Sequence, residues 1–184
     1  YMAIDKYSTE SFILDAYESR ENDKTYKLFT KDLGLIFARA TSVRKLESKL
    51  RTHLQVGRMT QVTLVKGKDV WRITGSEEYH CESLLRNDVV KLLERFVRGE
   101  GPQKTLFNHM KDIVSTTNID ERTGRLLAHY LILVDLGYAD AFIIGAESID
   151  QYVSWNIDDL YTQAILTKDI LRTHVMQVLN QVQL

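Results

Sequence analysis

The side chains most able to do chemistry in this sequence are cations. Nine lysines and arginines lie within residues 39–72, where Glu47 and Asp69 are the only acidic residues, so the stretch carries +7 in a chain of net charge −1. Cations at this density are typical of a surface that binds nucleic acid or another polyanion, and a plain solvated surface is the alternative. The candidate phosphate contacts are Arg39, Arg44, Lys45, Lys49, Arg51, Arg58, Lys66, Lys68 and Arg72.

An aromatic ring beside one of these cations extends the same chemistry. In an extended segment 35–40, Phe37 and Arg39 share one face. Bases stack on flat rings while arginine neutralises the backbone, which is how single-stranded nucleic acids are held. The alternative is that Phe37 points into a core and Arg39 lies at the strand end. Tyr26 and Trp71 alternate with apolar residues and are predicted to be buried.

Groups for catalysis or metal binding do not occur at useful spacings. The five histidines are spread along the chain, and the one thiol, Cys81, has no partner base that the sequence identifies, which favours a structural cysteine. Gly99-Glu100-Gly101 could cradle a phosphate, but a helix connection is favoured because no Lys-Ser/Thr follows it. The sequence therefore indicates no enzyme, no metal and no cofactor. A single cysteine is typical of a reducing, cytoplasmic setting.

The elements that must position the cations are short strands. Five segments are rich in β-formers, alternate near period two and are separated by turn compositions such as Lys66-Gly67-Lys68-Asp69. With little helical periodicity between them, they predict a small all-β sheet or barrel. The predicted strands are 11–18, 25–30, 35–40, 59–65 and 70–74.

Residues beyond 80 have a helical period instead. Apolar residues recur at helical spacing over 84–97, Pro102 is placed to open a second helix, and Asp120 is a predicted N-cap for a helix over 121–136. A final helix is predicted from Asn156 to 182, with one apolar stripe along it. The predicted fold is therefore α+β, with a β domain over 1–79 and an α-helical bundle over 80–184.

Three segments in this order resemble the bacterial RecO family of recombination mediators. Residues 28–36, LFTKDLGLI, are similar to the family's LFTxxxGxI hairpin, and residues 48–55, SKLRTHLQ, are similar to its SKLRxxLQ segment. The leucine-rich stretch from Leu126 to Asp135-Leu136-Gly137-Tyr138 is similar to the family's helix that ends in LGY.

The resemblance implies a five-stranded OB-fold barrel over residues 1–79 and a helical domain over 80–184. It further implies a non-enzymatic protein that binds single- and double-stranded DNA, anneals complementary strands and helps to load the recombinase in recombinational repair. The implied partners are a RecR-like protein and the single-stranded-DNA-binding protein, and the implied location is the cytoplasm, in association with the nucleoid. Some members carry a four-cysteine zinc ribbon, which the single cysteine Cys81 excludes here.

The candidate site residues form two groups, of which the first is carried over in part from the family and the second comes from charge on a helix. The DNA contacts carried over from the family are Arg39, Arg44, Lys45, Lys49 and Arg51, whereas Arg58, Lys66, Lys68 and Arg72 rest on charge alone. The acidic, apolar tail of the single-stranded-DNA-binding protein docks on the helical domain in this family. The candidates for that surface are cations on the first long helix, for which a solvated helix face is the alternative: Arg86, Lys91, Arg95 and Arg98.

A second function class stays open from the sequence. The barrel and the acidic helical part (ten basic against fourteen acidic residues over 80–184) could form a protein-binding adaptor without direct DNA contact, in which the cations serve solubility. A basic face gathered on one side of the barrel favours DNA, and cations scattered around the barrel favour the adaptor.

Overall fold

The computed structural model describes residues 6–20, 22–43, 49–79 and 83–182. The chain forms two compact units: Tyr1–Cys81 with Val97–Lys104, and Glu82–Phe96 with Thr105–Leu184. A segment that joins two helices of the second unit is therefore part of the first. In the described part of the chain, no helix is long and apolar enough to cross a membrane.

The first unit is a closed barrel of five strands in the order β1-β2-β3-β5-β4. The strands are β1 (Lys6–Arg20), β2 (Asp23–Thr30), β3 (Gly34–Ala40), β4 (Met59–Lys66) and β5 (Trp71–Glu78). All neighbouring strands are antiparallel except β3 and β5, which run parallel where Ala38 meets Trp71 and Arg39 meets Arg72. Closure leaves the sheet without an open edge, and the predicted β-barrel is confirmed.

Alternation along the strands separates the core from the surface. Tyr26, Ala38 and Leu64 point into the barrel with other apolar side chains, and Leu54, just after the short helix α1 (Lys49–His53), belongs to the same core. The prediction that Tyr26 is buried is confirmed, and burial raises the pKa of its hydroxyl. Trp71 is half-buried against the core rather than enclosed by it.

Residues 97–104 lie against the hairpin between β2 and β3. The backbone N–H of Gly101 donates to the Leu33 carbonyl at 3.3 Å, and Glu100 forms a β-bridge with Gly34. Gly34 has φ = +72°, and a Cβ there would lie 2.0 Å from the Gly101 carbonyl oxygen, so only glycine fits this contact. The Gly-Glu-Gly segment is therefore a backbone connection. Pro102 does not open a helix as predicted: the bridge at Glu100 and the bond of Gly101 tie the preceding residues to the hairpin, and α3 begins at Lys104.

The second unit consists of six α-helices and one 3₁₀ turn (Ala141–Ile144) among its described residues. The helices are α2 (Arg86–Phe96), α3 (Lys104–Ser115), α4 (Glu121–Asp135), α5 (Ile149–Ser154), α6 (Ile157–Leu166) and α7 (Lys168–Gln181). Helix α4 is buried along most of its length. Asp120 is its N-cap and accepts from the Thr123 N–H at 3.0 Å, as predicted.

The predicted last helix is two helices. The side chains expected along one apolar stripe are buried: Leu160, Ala164, Leu171 and Val175. The helix that carries them is interrupted at Thr167, between α6 and α7. The Thr167 hydroxyl donates to the Gln163 carbonyl at 2.8 Å and thereby adds a bond to the last turn of α6.

Candidate nucleic-acid interface

One outer side of the barrel combines cations with aromatic rings, and we call it the aromatic-basic face. Its members alternate with inward core residues and are therefore outward: Tyr17 on β1, Thr25 and Lys27 on β2, Phe37 and Arg39 on β3, and Arg72 on β5. Strand pairing places them in two rows. One row runs Tyr17, Thr25, Arg39, Arg72, and the other runs Asp15, Lys27, Phe37.

Two large aromatic rings of this face are nearly half exposed to solvent. Phe37 is 46% exposed and Tyr17 is 45% exposed, and their centroids are 6.4 Å apart with planes inclined by 39°. The interpretation in which Phe37 points into the core is therefore wrong. Its register partner Lys27 and the core residue Ala38 next to it in sequence fix it on the outer side.

Arg39 and Arg72 are direct neighbours on the same face. They are paired in the parallel register between β3 and β5, and Arg72 is exposed. The Arg39 Nε is buried and has no hydrogen-bond partner among the described residues, a state that costs about 1–3 kcal/mol for a buried donor. Two like charges side by side also destabilise a sheet. An anion bound here would relieve both costs.

A cavity of about 530 Å³ opens beside Phe37, next to the hairpin between β4 and β5. Phe37 and Trp71 supply its rings, and the edge of Trp71 meets the Tyr7 ring at a centroid distance of 5.4 Å. The cavity is lined by Thr25, Phe37, Lys66, Gly67, Lys68, Asp69, Val70, Trp71 and Glu100. Lys66 and Lys68 are exposed, and the face of β2 and β3 with this hairpin is where OB-folds bind oligonucleotides.

In the part of the chain that the structure describes, the remaining candidate DNA-contact residues are not found on the aromatic-basic face. Arg58 precedes β4 and forms an ion pair with Glu78 at 2.5 Å, so it is already neutralised. Arg44 and Lys45 lie outside the described residues. Lys49 and Arg51 belong to helix α1, of which only the backbone is described at these two positions.

The four cations of the predicted partner surface do not form one helix face. Lys91 and Arg95 are exposed on α2, and the Arg95 guanidinium lies 5.2 Å from the centroid of the Phe96 ring. Arg86 stands at the first residue of the helix and is half-buried. Arg98 lies beyond the helix end at Phe96 and donates to the Val97 carbonyl at 2.8 Å.

A groove between α4 and α7 combines apolar and basic side chains, and we call it the helical groove. Its volume is about 620 Å³, and it is lined by Arg122, Arg125, Leu126, His129, Lys168, Arg172, Val175, Met176 and Leu179. Arg125 is ion-paired with Asp88 and Glu121, and the bond to Asp88 raises its pKa. Sequence reasoning missed this groove because its two walls are about 45 residues apart and each helix alone has the pattern of a packed helix.

A buried polar network lies elsewhere in the helical unit. The His109 Nδ1 lies 2.7 Å from Asp135 Oδ2, and the Tyr152 hydroxyl donates to Asp135 Oδ1 at 3.0 Å. Burial raises the pKa of the Tyr152 hydroxyl. His109 and Asp135 are enclosed on nearly all sides, which suits a structural network. The described residues contain no cluster of three His, Cys, Asp or Glu side chains that would hold a metal ion.

The barrel part of the sequence is similar to known proteins. Residues 2–80 match the family model described as "Recombination protein O N terminal". The "DNA repair protein RecO" of Dehalococcoides mccartyi strain CBDB1 is 37% identical over 83 residues, which are 45% of this chain and 33% of the relative. The protein of the same name from Heliobacterium modesticaldum is 31% identical over 85 residues, which are 46% of this chain and 31% of that relative. The match thus spans about a third of the length of these curated relatives.

Proposed function

Because residues 2–80 match the family model described as "Recombination protein O N terminal", we propose that this chain is a DNA-binding recombination mediator that acts in DNA repair. In this proposal it binds single- and double-stranded DNA through phosphate contacts, promotes strand annealing and aids recombinase loading. It works in the cytoplasm at the nucleoid. It holds strands and catalyses no bond change.

The observation that carries the proposal is the grouping of cations on one side of the barrel. Arg39 and Arg72 are neighbours, and Lys66 and Lys68 lie on the hairpin that borders the same face. Together with Lys27 they outnumber the carboxylates of that surface, Asp15, Asp69 and Glu100. A face with this excess of positive charge attracts the phosphates of a DNA strand and displaces their counterions.

Binding through phosphates is independent of sequence, which suits a mediator that must act at any break. Side chains that contact only the backbone fix the position of a strand without reading its bases. In a strand held in this way, the base-pairing edges that lie outside the cavity stay available to a complementary strand. Annealing then requires no further chemistry from the protein.

The proposal is tested by titrating the full chain into a fluorescein-labelled single strand of mixed sequence and following the anisotropy at several salt concentrations. One phosphate contact from each of the four cations Arg39, Arg72, Lys66 and Lys68 predicts a slope of log affinity against log salt of about −2.8, at about −0.7 per contact for single strands. Binding that ignores salt contradicts phosphate recognition. Absence of binding at 50 mM salt favours the adaptor class instead.

A second function, docking of a protein tail, is favoured by the helical groove. We propose that the single-stranded-DNA-binding protein is a partner through its acidic, apolar tail, and that a RecR-like protein also associates with the chain. The groove offers Leu126, Val175 and Met176 for apolar side chains, with Arg122 and Arg172 beside them for carboxylates. The α2 cations Lys91 and Arg95 are the competing location predicted from the sequence.

Paired variants separate the two locations. A fluorescent peptide of the tail is titrated into the chain, into the Arg122→Glu/Arg172→Glu variant and into the Lys91→Glu/Arg95→Glu variant. Loss of binding only in the first variant assigns the groove, and loss only in the second assigns α2. Unchanged binding in both variants refutes both locations, and absence of binding to the unmodified chain refutes the tail as a partner.

A further inference from the structure

We infer that the cavity beside Phe37 receives an unpaired nucleobase and that Tyr17 and Phe37 stack on bases next to it, so that the aromatic-basic face selects single strands over duplex. The inference rests on the proposed function and adds to it the form of DNA that this face takes. It assigns a specificity role to two aromatic residues that carry no charge.

The exposure of the two rings is the first observation. Large aromatic side chains favour burial, and their faces are attractive surfaces for flat ligands. Here Phe37 and Tyr17 are nearly half exposed, lie next to each other and stand in rows that also hold Arg39, Lys27 and Arg72. Rings interleaved with cations match a single strand, in which bases and phosphates alternate.

The charge balance of the cavity is the second observation. Lys66 and Lys68 are matched there by the carboxylates Asp69 and Glu100, whereas Arg39 and Arg72 stand outside its lining. A cavity with balanced charges and aromatic walls suits a flat, neutral ligand with polar edges better than it suits a phosphate. A nucleobase is such a ligand, because its ring stacks on the aromatic walls and its amino groups donate to the carboxylates, while the exposed ammonium groups of Lys66 and Lys68 reach the flanking phosphates.

The unsatisfied donor of Arg39 is the third observation. Its Nε lies one row from Phe37 and has no partner among the described residues. A phosphate that follows the base in the cavity supplies the acceptor that this donor needs. The base and its phosphate are thus recognised by different parts of the same face.

A duplex does not present these groups. Its bases are stacked on one another and their edges are paired, so a ring can reach a base face only after the base leaves the stack. Contacts to phosphates are available in both forms of DNA, whereas contacts to base faces are available only in the single strand. The rings therefore add affinity for one form alone.

The experiment compares three probes on the full chain at one salt concentration: a 15-nucleotide single strand, an abasic strand of the same length, and the corresponding duplex. The variants are Phe37→Ala, Tyr17→Ala and Phe37→Trp, and Phe142→Ala is the matched control because Phe142 is 50% exposed on the helical unit. Each alanine variant is expected to bind the single strand about 5- to 150-fold more weakly, as stacking on one base predicts. The abasic strand and the duplex keep the affinity that they have for the unmodified chain, and Phe37→Trp binds the single strand at least as well.

Two results overturn the inference while the proposed function stands. Either Phe37→Ala and Tyr17→Ala bind the single strand as tightly as the unmodified chain and Phe142→Ala, or they lose affinity equally for the abasic strand and the duplex. If the unmodified chain binds none of the three probes, the proposed function fails and the inference fails with it. Thermal melting of Phe37→Ala, expected to equal that of Phe142→Ala within a few degrees, excludes misfolding as the cause of a loss.

Discussion

Removing the paired arginines of the barrel should weaken DNA binding without weakening the fold. In the double variant Arg39→Gln/Arg72→Gln the side chains keep their approximate length and polarity but lose both charges. These residues are neighbours in the parallel register, so the change removes a like-charge pair from the sheet. It also replaces the buried Arg39 Nε, which lacks a partner among the described residues, with a neutral amide at the same position along the side chain. A site that is optimised for ligand rather than for stability behaves in this way.

The magnitudes follow from counting phosphate contacts. With four contacts, raising the salt from 50 to 200 mM lowers the affinity of the unmodified chain for a single strand about 50-fold, from a slope of about −2.8. With two contacts the slope is about −1.4 and the loss over the same range is about 7-fold. The free energy of unfolding of the variant stays the same or rises by up to about 1 kcal/mol, the scale of a cross-strand pair.

The assay is anisotropy at four salt concentrations, with urea unfolding of each protein followed by circular dichroism. Lys31→Gln/Lys104→Gln is the matched control, because it also removes two charges from the barrel unit. Lys31 is ion-paired with Glu10 at 3.5 Å, and Lys104 is ion-paired with Asp32 at 3.6 Å. If the control lowers the salt slope as much as the arginine variant does, net charge explains the binding and the aromatic-basic face does not.

Three further changes have defined outcomes. Reversing Arg44, Lys45, Lys49 and Arg51 to glutamate should abolish single-strand binding in the anisotropy assay with little change in melting temperature. Binding equal to the parent's would exclude these four residues as a clamp on the strand. The bond from the Thr123 N–H lowers the pKa of Asp120 to about 2, so its stabilisation is complete above about pH 4 and is lost as the pH falls toward 2. Asp120→Ala should lower the free energy of unfolding by about 1 kcal/mol at pH 7, measured by urea unfolding. Asp120→Asn should keep the cap but lose the acid dependence when urea unfolding is repeated across pH. Equal stability of both variants and the unmodified chain at pH 7 would refute the cap. Asp135→Ala leaves the buried side chains of His109 and Tyr152 without their acceptor, and should lower the free energy of unfolding by about 1–3 kcal/mol for each of them. Tyr152→Phe should lower it by only about 1 kcal/mol. Near-equal urea midpoints for the two variants would show that the network adds little stability.

The strands and the main helix were predictable because their signals are local. Alternation over 59–65 gave β4 to within one residue, and Asp120 before an apolar run marked the start of α4. Family motifs and alternation together predicted the OB-fold barrel, which the strand order and the match over residues 2–80 confirm. Local signals failed at Thr167, where one apolar stripe is divided between two helices, because an apolar period continues through a break of a single residue.

The site was predictable in composition but not in arrangement. The cations were visible as charge, yet nothing in sequence order shows that Arg39 pairs with Arg72, because that contact depends on how the barrel closes. Arg58 has the same charge as its neighbours and differs only through Glu78, twenty residues away. The orientation of Phe37 was open for a similar reason, since a strand pattern fixes which residues share a face and not which face is covered.

Photocrosslinking tests the central claim most directly, because it reports where a strand lies on the protein. A single strand carrying 5-iododeoxyuridine is irradiated with the full chain, and the crosslinked peptides are identified by mass spectrometry. We expect crosslinks in the segments that hold Tyr17 and Phe37 and in the hairpin 66–71. The crosslinks in the hairpin should be lost when Phe37 is replaced by alanine. Crosslinks found only on the helical unit, or spread evenly over the barrel, would contradict a DNA-binding face built from these residues.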